Sequence, residues 1–149
     1  MSEPLRLALG ADHAGFEQKT EMATWLKSLG FEVLDLGSYD DGRVDYPDYA
    51  VAVSEKLQSG QADLGILLCG TGIGMAIAAN KCRGIRAANA LNTDFARLAR
   101  EHNAANVLTL SARFVDLPEN QAIVQAFLEA EPLGERHAER VEKINSLDK

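Results

Sequence analysis

The chain has 149 residues, 46% of them hydrophobic, enough for one core of ordinary domain size. Its formal charge of -7 and pI near 4.9 exclude a non-specific binder of nucleic acid or of an anionic membrane, because either needs net positive potential. An anionic substrate would need a locally basic pocket instead.

The start, "MSEPLRLALGAD", carries no charged leader ahead of a long apolar core, and no window approaches the roughly 20 apolar residues of a membrane span. The chain therefore reads as soluble and cytoplasmic. Cys69 and Cys82 lie outside CxxC spacing and have no partner set for zinc, which argues against a disulfide scaffold and a structural metal.

In chain order, "LRLALG" (5–10) reads as a first strand. "FEQKTEMATWLKSLG" then sets Phe16, Met22, Trp25, Leu26 and Leu29 near helical spacing and ends on Gly30, a plausible C-cap. "FEVLDLG" (31–37) is a second strand. "SYDDGRVDYPDY" is polar and turn-rich, and its Pro47 suits the first turn of a helix through "YAVAVSEKLQSG". "ADLGILL" (62–68) is a third strand, followed by "CGTGIG" and an alanine-rich helix. "GIRAAN" (84–89) is a fourth strand, "NTDFARLAREHN" a helix and "ANVLTLSA" (105–112) a fifth strand. The tail reads as two helices broken near Pro132 and Gly134. Short apolar runs alternating with longer amphipathic ones are the pattern of βαβ units. The expected class is α/β: a three-layer α/β/α, doubly wound, Rossmann-like sandwich with a five-stranded parallel sheet and an extra C-terminal helix, one domain over 1–149.

Ligands of such sheets sit outside the carboxyl ends of the strands, at the switch in strand order. Asp12-His13, Cys69-Gly70-Thr71-Gly72 and the region of Arg113 follow the first, third and fifth strands. "CGTGIG" is not a P-loop, because no Gly-Lys-Ser/Thr follows, and not a dinucleotide fingerprint, because Ile77 stands three after Gly74. Its glycines would let backbone amides converge on one point at the positive end of a helix, which suits an oxyanion. Glycine used for the sterics of a tight turn is the plainer alternative.

Helix-terminus amides can lower a thiol pKa from about 8.5, which makes Cys69 a candidate base or nucleophile. Cys82, where a helix gives way to a strand, fits a small buried hydrophobe. Of the three histidines, His13 and His102 sit at places where a role is open, and His137 reads as a solvated residue between two arginines. Those arginines, Arg136 and Arg140, share one helix face and could grip a phosphate, unless Glu135 and Glu139 neutralise them. A thiol, two strand-exit histidines, an aspartate and an arginine pair form equipment for proton transfer beside a carbonyl in a phosphorylated small molecule.

"GADHAGFEQK", "DYPDYA", "CGTGIGMAIAANKCRGIRAA", "REHNAANVLTL" and "GERHAERV" occur in this order over nearly the whole chain. In them the sequence resembles the type B ribose-5-phosphate isomerases and their sugar-phosphate isomerase relatives. The resemblance implies an aldose–ketose isomerase acting on ribose 5-phosphate and ribulose 5-phosphate through an enediolate. Cys69 would be the base. Thr71 and the amides of Gly70, Thr71, Gly72, Ile73 and Gly74 would serve the enediolate, and His102 would assist ring opening. Asp12 would hold sugar hydroxyls or share that proton traffic, and Asn103 would contact the enediolate. His13, Arg113, Arg136 and Arg140 would bind substrate, the arginines chiefly its phosphate. No cofactor and no metal are implied, and sites shared between the chains of a homodimer or a dimer of dimers are expected.

One branch of the family carries serine for the cysteine and a glutamate base a few residues later. Here Ile73 and Met75 occupy those positions and cannot accept a proton, so Cys69 is the expected base. "NALNTD" (89–94) and Ser111, where glycine is expected in many members, bear on the choice of sugar. Isomerases of allose 6-phosphate, galactose 6-phosphate or a tetrose phosphate are the near alternatives. A non-catalytic flavodoxin-like module is disfavoured by a single Asp12 where an acidic pair would be expected and by Cys69 where a phospho-acceptor Asp would be. A thiol redox protein is disfavoured by the lack of a nearby resolving cysteine.

Overall fold

In the computed structural model, which describes residues 3–149, the most apolar segments form the centre of one parallel sheet. Residues 1 and 2 of the expected domain lie outside the described residues. Strands β1 (Arg6–Ala11), β3 (Leu64–Cys69) and β5 (Val107–Ser111) are buried at nearly every position, as strands covered on both faces must be. β2 (Glu32–Asp35) and β4 (Ala87–Asn89) are only partly buried and take the edges, giving the order β2-β1-β3-β5-β4. Register pairs Ala11 with Leu68 and Cys69 with Ser111, so the ends of the three central strands lie level with one another.

Period-two alternation divides the strand side chains between two cores. Leu7, Leu9, Ile66, Leu68, Leu108 and Leu110 pack with Met22 and Leu26 of α1 (Phe16–Ser28) and with Ile123 and Phe127 of α5 (Leu117–Glu129). Ala96 and Ala99 of α4 (Thr93–Asn103) close that side. On the other face Ala8, Leu67, Cys69 and Val107 meet Ala50 and Val53 of α2 (Tyr46–Gln58) and Met75 and Ala79 of α3 (Ile73–Asn80). The sandwich and its extra helix, α6 (Arg136–Asn145) against α4, are as expected. Pro47 lies in the first turn of α2.

β2, β4 and β5 are each three residues shorter than the runs read as strands, and side-chain bonds mark the trimmed ends of the first two. β2 stops at Asp35, whose carboxylate turns to the Lys19 ammonium at 2.8 and 2.9 Å, and Gly37 then takes φ +94°. Lys19 is 1% exposed and also donates to Ser38 O at 2.7 Å, so one buried cation fastens the segment after β2 to α1. Before β4, Gly84 turns at φ +78° and Arg86 N donates to the Asn106 side chain at 2.8 Å, so the ladder begins only at Ala87. No helix among the described residues is long and apolar enough to cross a membrane.

Candidate active site

Strand order reverses between β1 and β3, and the residues that leave those strands meet there. Cys69, 5% exposed, ends β3, and the Gly72 N–H donates to its Sγ at 3.2 Å. That bond requires the chain to curl back at once, and Gly72 does so at φ +82°, a conformation that costs a side-chain-bearing residue about 1–2 kcal/mol. A Cβ on Gly72 would also run into Asn89 Oδ1 and lie 3.0 Å from the Leu110 carbonyl. Helix α3 starts immediately afterwards, with Thr71 Oγ1 accepting from Ile73 N at 3.1 Å. Among the described residues the amides of Thr71, Gly74 and Met75 have no protein acceptor. Free amides at a helix start, next to a thiol, are donors of the kind that suit an anion.

Two neighbours complete this edge. Asp12, 7% exposed, accepts from Ala14 N at 3.0 Å and Gly15 N at 3.2 Å, both on Oδ1. His13 Nδ1 accepts from Val44 N at 3.3 Å, which places its proton on Nε2. Asp12, His13, Arg43, Asp45 and Tyr46 line a cleft of about 430 Å³. Its Tyr46 ring would lie 2.6 Å from a Cβ on Gly74, so that glycine lets the ring close over the turn. From the β5 side, Arg113 brings Nη1 to 3.2 Å of where a Gly70 Cβ would be. Among the described residues no ion pair forms to Arg113, Arg136 or Arg140, which leaves these cations available to an anion.

His102 lies at the end of α4, the helix read over its motif, and not at a strand exit as its grouping with His13 implied. Helix α4 begins where β4 ends and runs back along the sheet, so its eleven residues carry His102 and Asn103 roughly 16 Å toward the amino edge. There His102 stacks on His137, with ring centroids 4.3 Å apart and 3° between planes. Arg136 and Arg140 start α6 at the same corner. Burial pushes the His137 imidazole below its usual pKa, and the charges of His102, Arg136 and Arg140 push the same way against Glu101. Two hollows flank the corner, about 440 Å³ with Asn103 in its lining and about 370 Å³ with His102 in its lining.

One chain thus assembles Asp12, His13, Cys69, Gly70, Thr71, Gly72, Ile73, Gly74 and Arg113 at one edge, and His102, Asn103, Arg136 and Arg140 at the other. His137, Tyr46 and Thr109 were not singled out as site residues from sequence. The "GERHAERV" motif holds a signal for His137, whereas Tyr46 and Thr109 are placed only by tertiary contacts. Among the described residues no group of three or more His, Cys, Asp or Glu is placed to hold a metal ion.

A thiol and a turn of free amides at the switch point of a parallel sheet, with an unpaired arginine above them, belong to an α/β protein whose strand ends offer N–H donors and positive charge to a small anion. Over residues 7–144 the chain matches the family described as Ribose/Galactose Isomerase, and it belongs to that family. It is 44% identical over 143 residues to the ribose-5-phosphate isomerase B of Escherichia coli strain K12, with 96% of each chain covered. The crystal structure of a ribose 5-phosphate isomerase from Thermotoga maritima matches with a TM-score of 0.94 at 48% identity, over 96% of this chain and 99% of that one. The ribose-5-phosphate isomerase B of Mycoplasma genitalium with bound ribulose-5-phosphate matches with a TM-score of 0.90 at 45% identity, over 95% and 94% of the two chains. The resemblance and the architecture expected from the motifs are both borne out.

Proposed function

We propose that this chain interconverts D-ribose 5-phosphate and D-ribulose 5-phosphate through a cis-enediolate, with Cys69 as the base. The observation that carries the reading is the buried Cys69 thiol with the Gly72 amide on its sulfur, at the head of a turn with free amides. The base takes the C2 proton of the aldose and returns one to C1, while those amides meet the negative charge that develops on the oxygens. Thr71 steadies the thiolate or the reacting oxygens, and Asp12 holds sugar hydroxyls. His102 assists ring opening, Asn103 contacts the enediolate, and His13, Arg113, Arg136 and Arg140 bind substrate, the arginines chiefly at its phosphate. The reaction needs no cofactor.

Since α4 separates His102 from Cys69 in one chain, a complete site takes its second half from another copy, in a homodimer or a dimer of dimers. Ile73 and Ile77 on α3, and Leu91 and Phe95 around the start of α4, each expose more than half their surface, which favours a covering partner. The setting is cytoplasmic.

The family description spans ribose and galactose, so the substrate is the point to test. Comparing kcat/KM on ribose 5-phosphate, allose 6-phosphate, galactose 6-phosphate and a tetrose phosphate should rank ribose 5-phosphate first. A large preference for another sugar would replace the substrate and keep the chemistry.

A further inference from the structure

Beneath the glycine turn, β5 presents two hydroxyls in register. Thr109 and Ser111 are two residues apart and point to the same face of the sheet. Both are buried, at 0% and 1% exposure. Thr109 Oγ1 donates to Gly72 O at 2.8 Å, and Ser111 Oγ donates to Gly70 O at 2.8 Å. Each of these carbonyls already accepts a backbone amide, Ala76 N for Gly72 and Arg113 N for Gly70, both at 3.1 Å. The hydroxyls are therefore a second bond on an acceptor that is already satisfied, and hiding a lone pair does not explain them.

What they fix is direction. In a trans peptide the C=O and the following N–H point opposite ways. Holding Gly70 O against Ser111 turns the Thr71 N–H away from β5, and holding Gly72 O against Thr109 does the same for the Ile73 N–H. Of these two amides the Thr71 N–H has no protein acceptor among the described residues, whereas the Ile73 N–H donates to Thr71 Oγ1 at 3.1 Å and so fixes that hydroxyl.

Each hydroxyl is itself held. Ser111 Oγ accepts from Phe114 N at 3.1 Å, on the segment that carries Arg113 over Gly70. Thr109 Oγ1 also lies 3.2 Å from Asn89 Oδ1, a second acceptor beside Gly72 O for its single proton. Asn89 and Thr109 are register partners of β4 and β5.

We infer that Thr109 and Ser111 are positioning residues: Ser111, through Gly70 O, aims the free Thr71 amide at the enediolate, and Thr109, through Gly72 O, aims the Ile73 amide at the Thr71 hydroxyl beside it. The inference rests on the isomerase reading above. A pre-aimed donor matters most where charge develops, so loss of aim lowers kcat more than ground-state binding.

The test measures kcat and KM for Ser111→Ala, Thr109→Val and Thr109→Ser, together with affinity for a hydroxamate analogue of the enediolate. Both carbonyls keep their backbone donors, so the variants are expected to fold; Ser111→Ala and Thr109→Ser decide the matter if Thr109→Val does not. Ser111→Ala and Thr109→Val should lower kcat by about 10- to 100-fold with KM within about twofold, and weaken the hydroxamate in parallel. Thr109→Ser keeps the hydroxyl and should recover kcat to within about threefold of wild type. Unchanged kcat in Ser111→Ala, or a rise in KM alone, overturns the inference while leaving the isomerase reading in place. A wild type inert on every sugar phosphate of the panel overturns both.

Discussion

Gly72 is where backbone strain and close approach coincide, and Gly72→Ala separates what each contributes. The residue sits at φ +82°, which costs an alanine about 1–2 kcal/mol. The new Cβ also has nowhere to go: Asn89 Oδ1 lies in its path, and the Leu110 carbonyl carbon and oxygen, parts of a central strand, are 3.0 Å away. Because a strand backbone does not yield, the turn must lift off β5, adding an overpacking cost of about 1–3 kcal/mol. The lift draws the Gly72 N–H away from Cys69 Sγ and Gly72 O away from Thr109, the two bonds that shape the site. Gly30→Ala is the control, since Gly30 takes a similar φ of +96° with nothing within 4 Å of its Cβ. Urea unfolding should find Gly72→Ala less stable than wild type by roughly 2–5 kcal/mol and Gly30→Ala by about 1–2 kcal/mol. Turnover should fall at least about tenfold in the first and hold in the second. Equal destabilisation of the two variants with unchanged kcat in Gly72→Ala would refute the close-approach argument.

Lys19→Met leaves the Asp35 carboxylate without its cation and should cost about 3 kcal/mol, roughly 6–12 °C in Tm by calorimetry; the added change Asp35→Asn should return part of it. Asp63 accepts from Arg6 through side chain and backbone, and those bonds hold its carboxyl below the usual range. A depressed carboxyl stabilises the fold above its unfolded value of about 3.9 and stops doing so as pH falls through the folded value. The Tm gap between wild type and Asp63→Asn should therefore be constant from about pH 7 to 5 and shrink progressively as pH falls below about 4; a gap that does not shrink on further acidification would contradict it. Arg140→Ala should raise KM strongly with kcat little changed. Co-expressed with Cys69→Ala, it should restore about a quarter of wild-type activity at low substrate if each site draws on two chains, and no restoration would place both residues in one chain's site.

How far the sequence reached depends on the distance over which each feature is set. β1, β3 and β5 were legible because a buried parallel strand needs an unbroken apolar run, and the turn at Gly72 was legible because only glycine tolerates that φ beside a strand. The fastening of Asp35 and Ser38 by Lys19 was not, since that cation reaches them from another element. Nor was the inner place of β5, because nothing local tells a fourth strand to take the edge. His102 was misplaced as a strand-exit residue for the same reason: its motif is local, while its location follows from the direction in which α4 runs back across the sheet. Sequence marked Ser111 only as a position where many family members are expected to carry glycine, because its bond to Gly70 O is a tertiary contact.

The central claim is that the Cys69 thiol moves the proton. The most direct measurement is the turnover of Cys69→Ala on ribose 5-phosphate alongside its affinity for the same sugar by calorimetric titration. A base acts in the transition state, so kcat should fall by about 10²- to 10⁴-fold while Kd changes little. Near-wild-type kcat in Cys69→Ala would contradict the account.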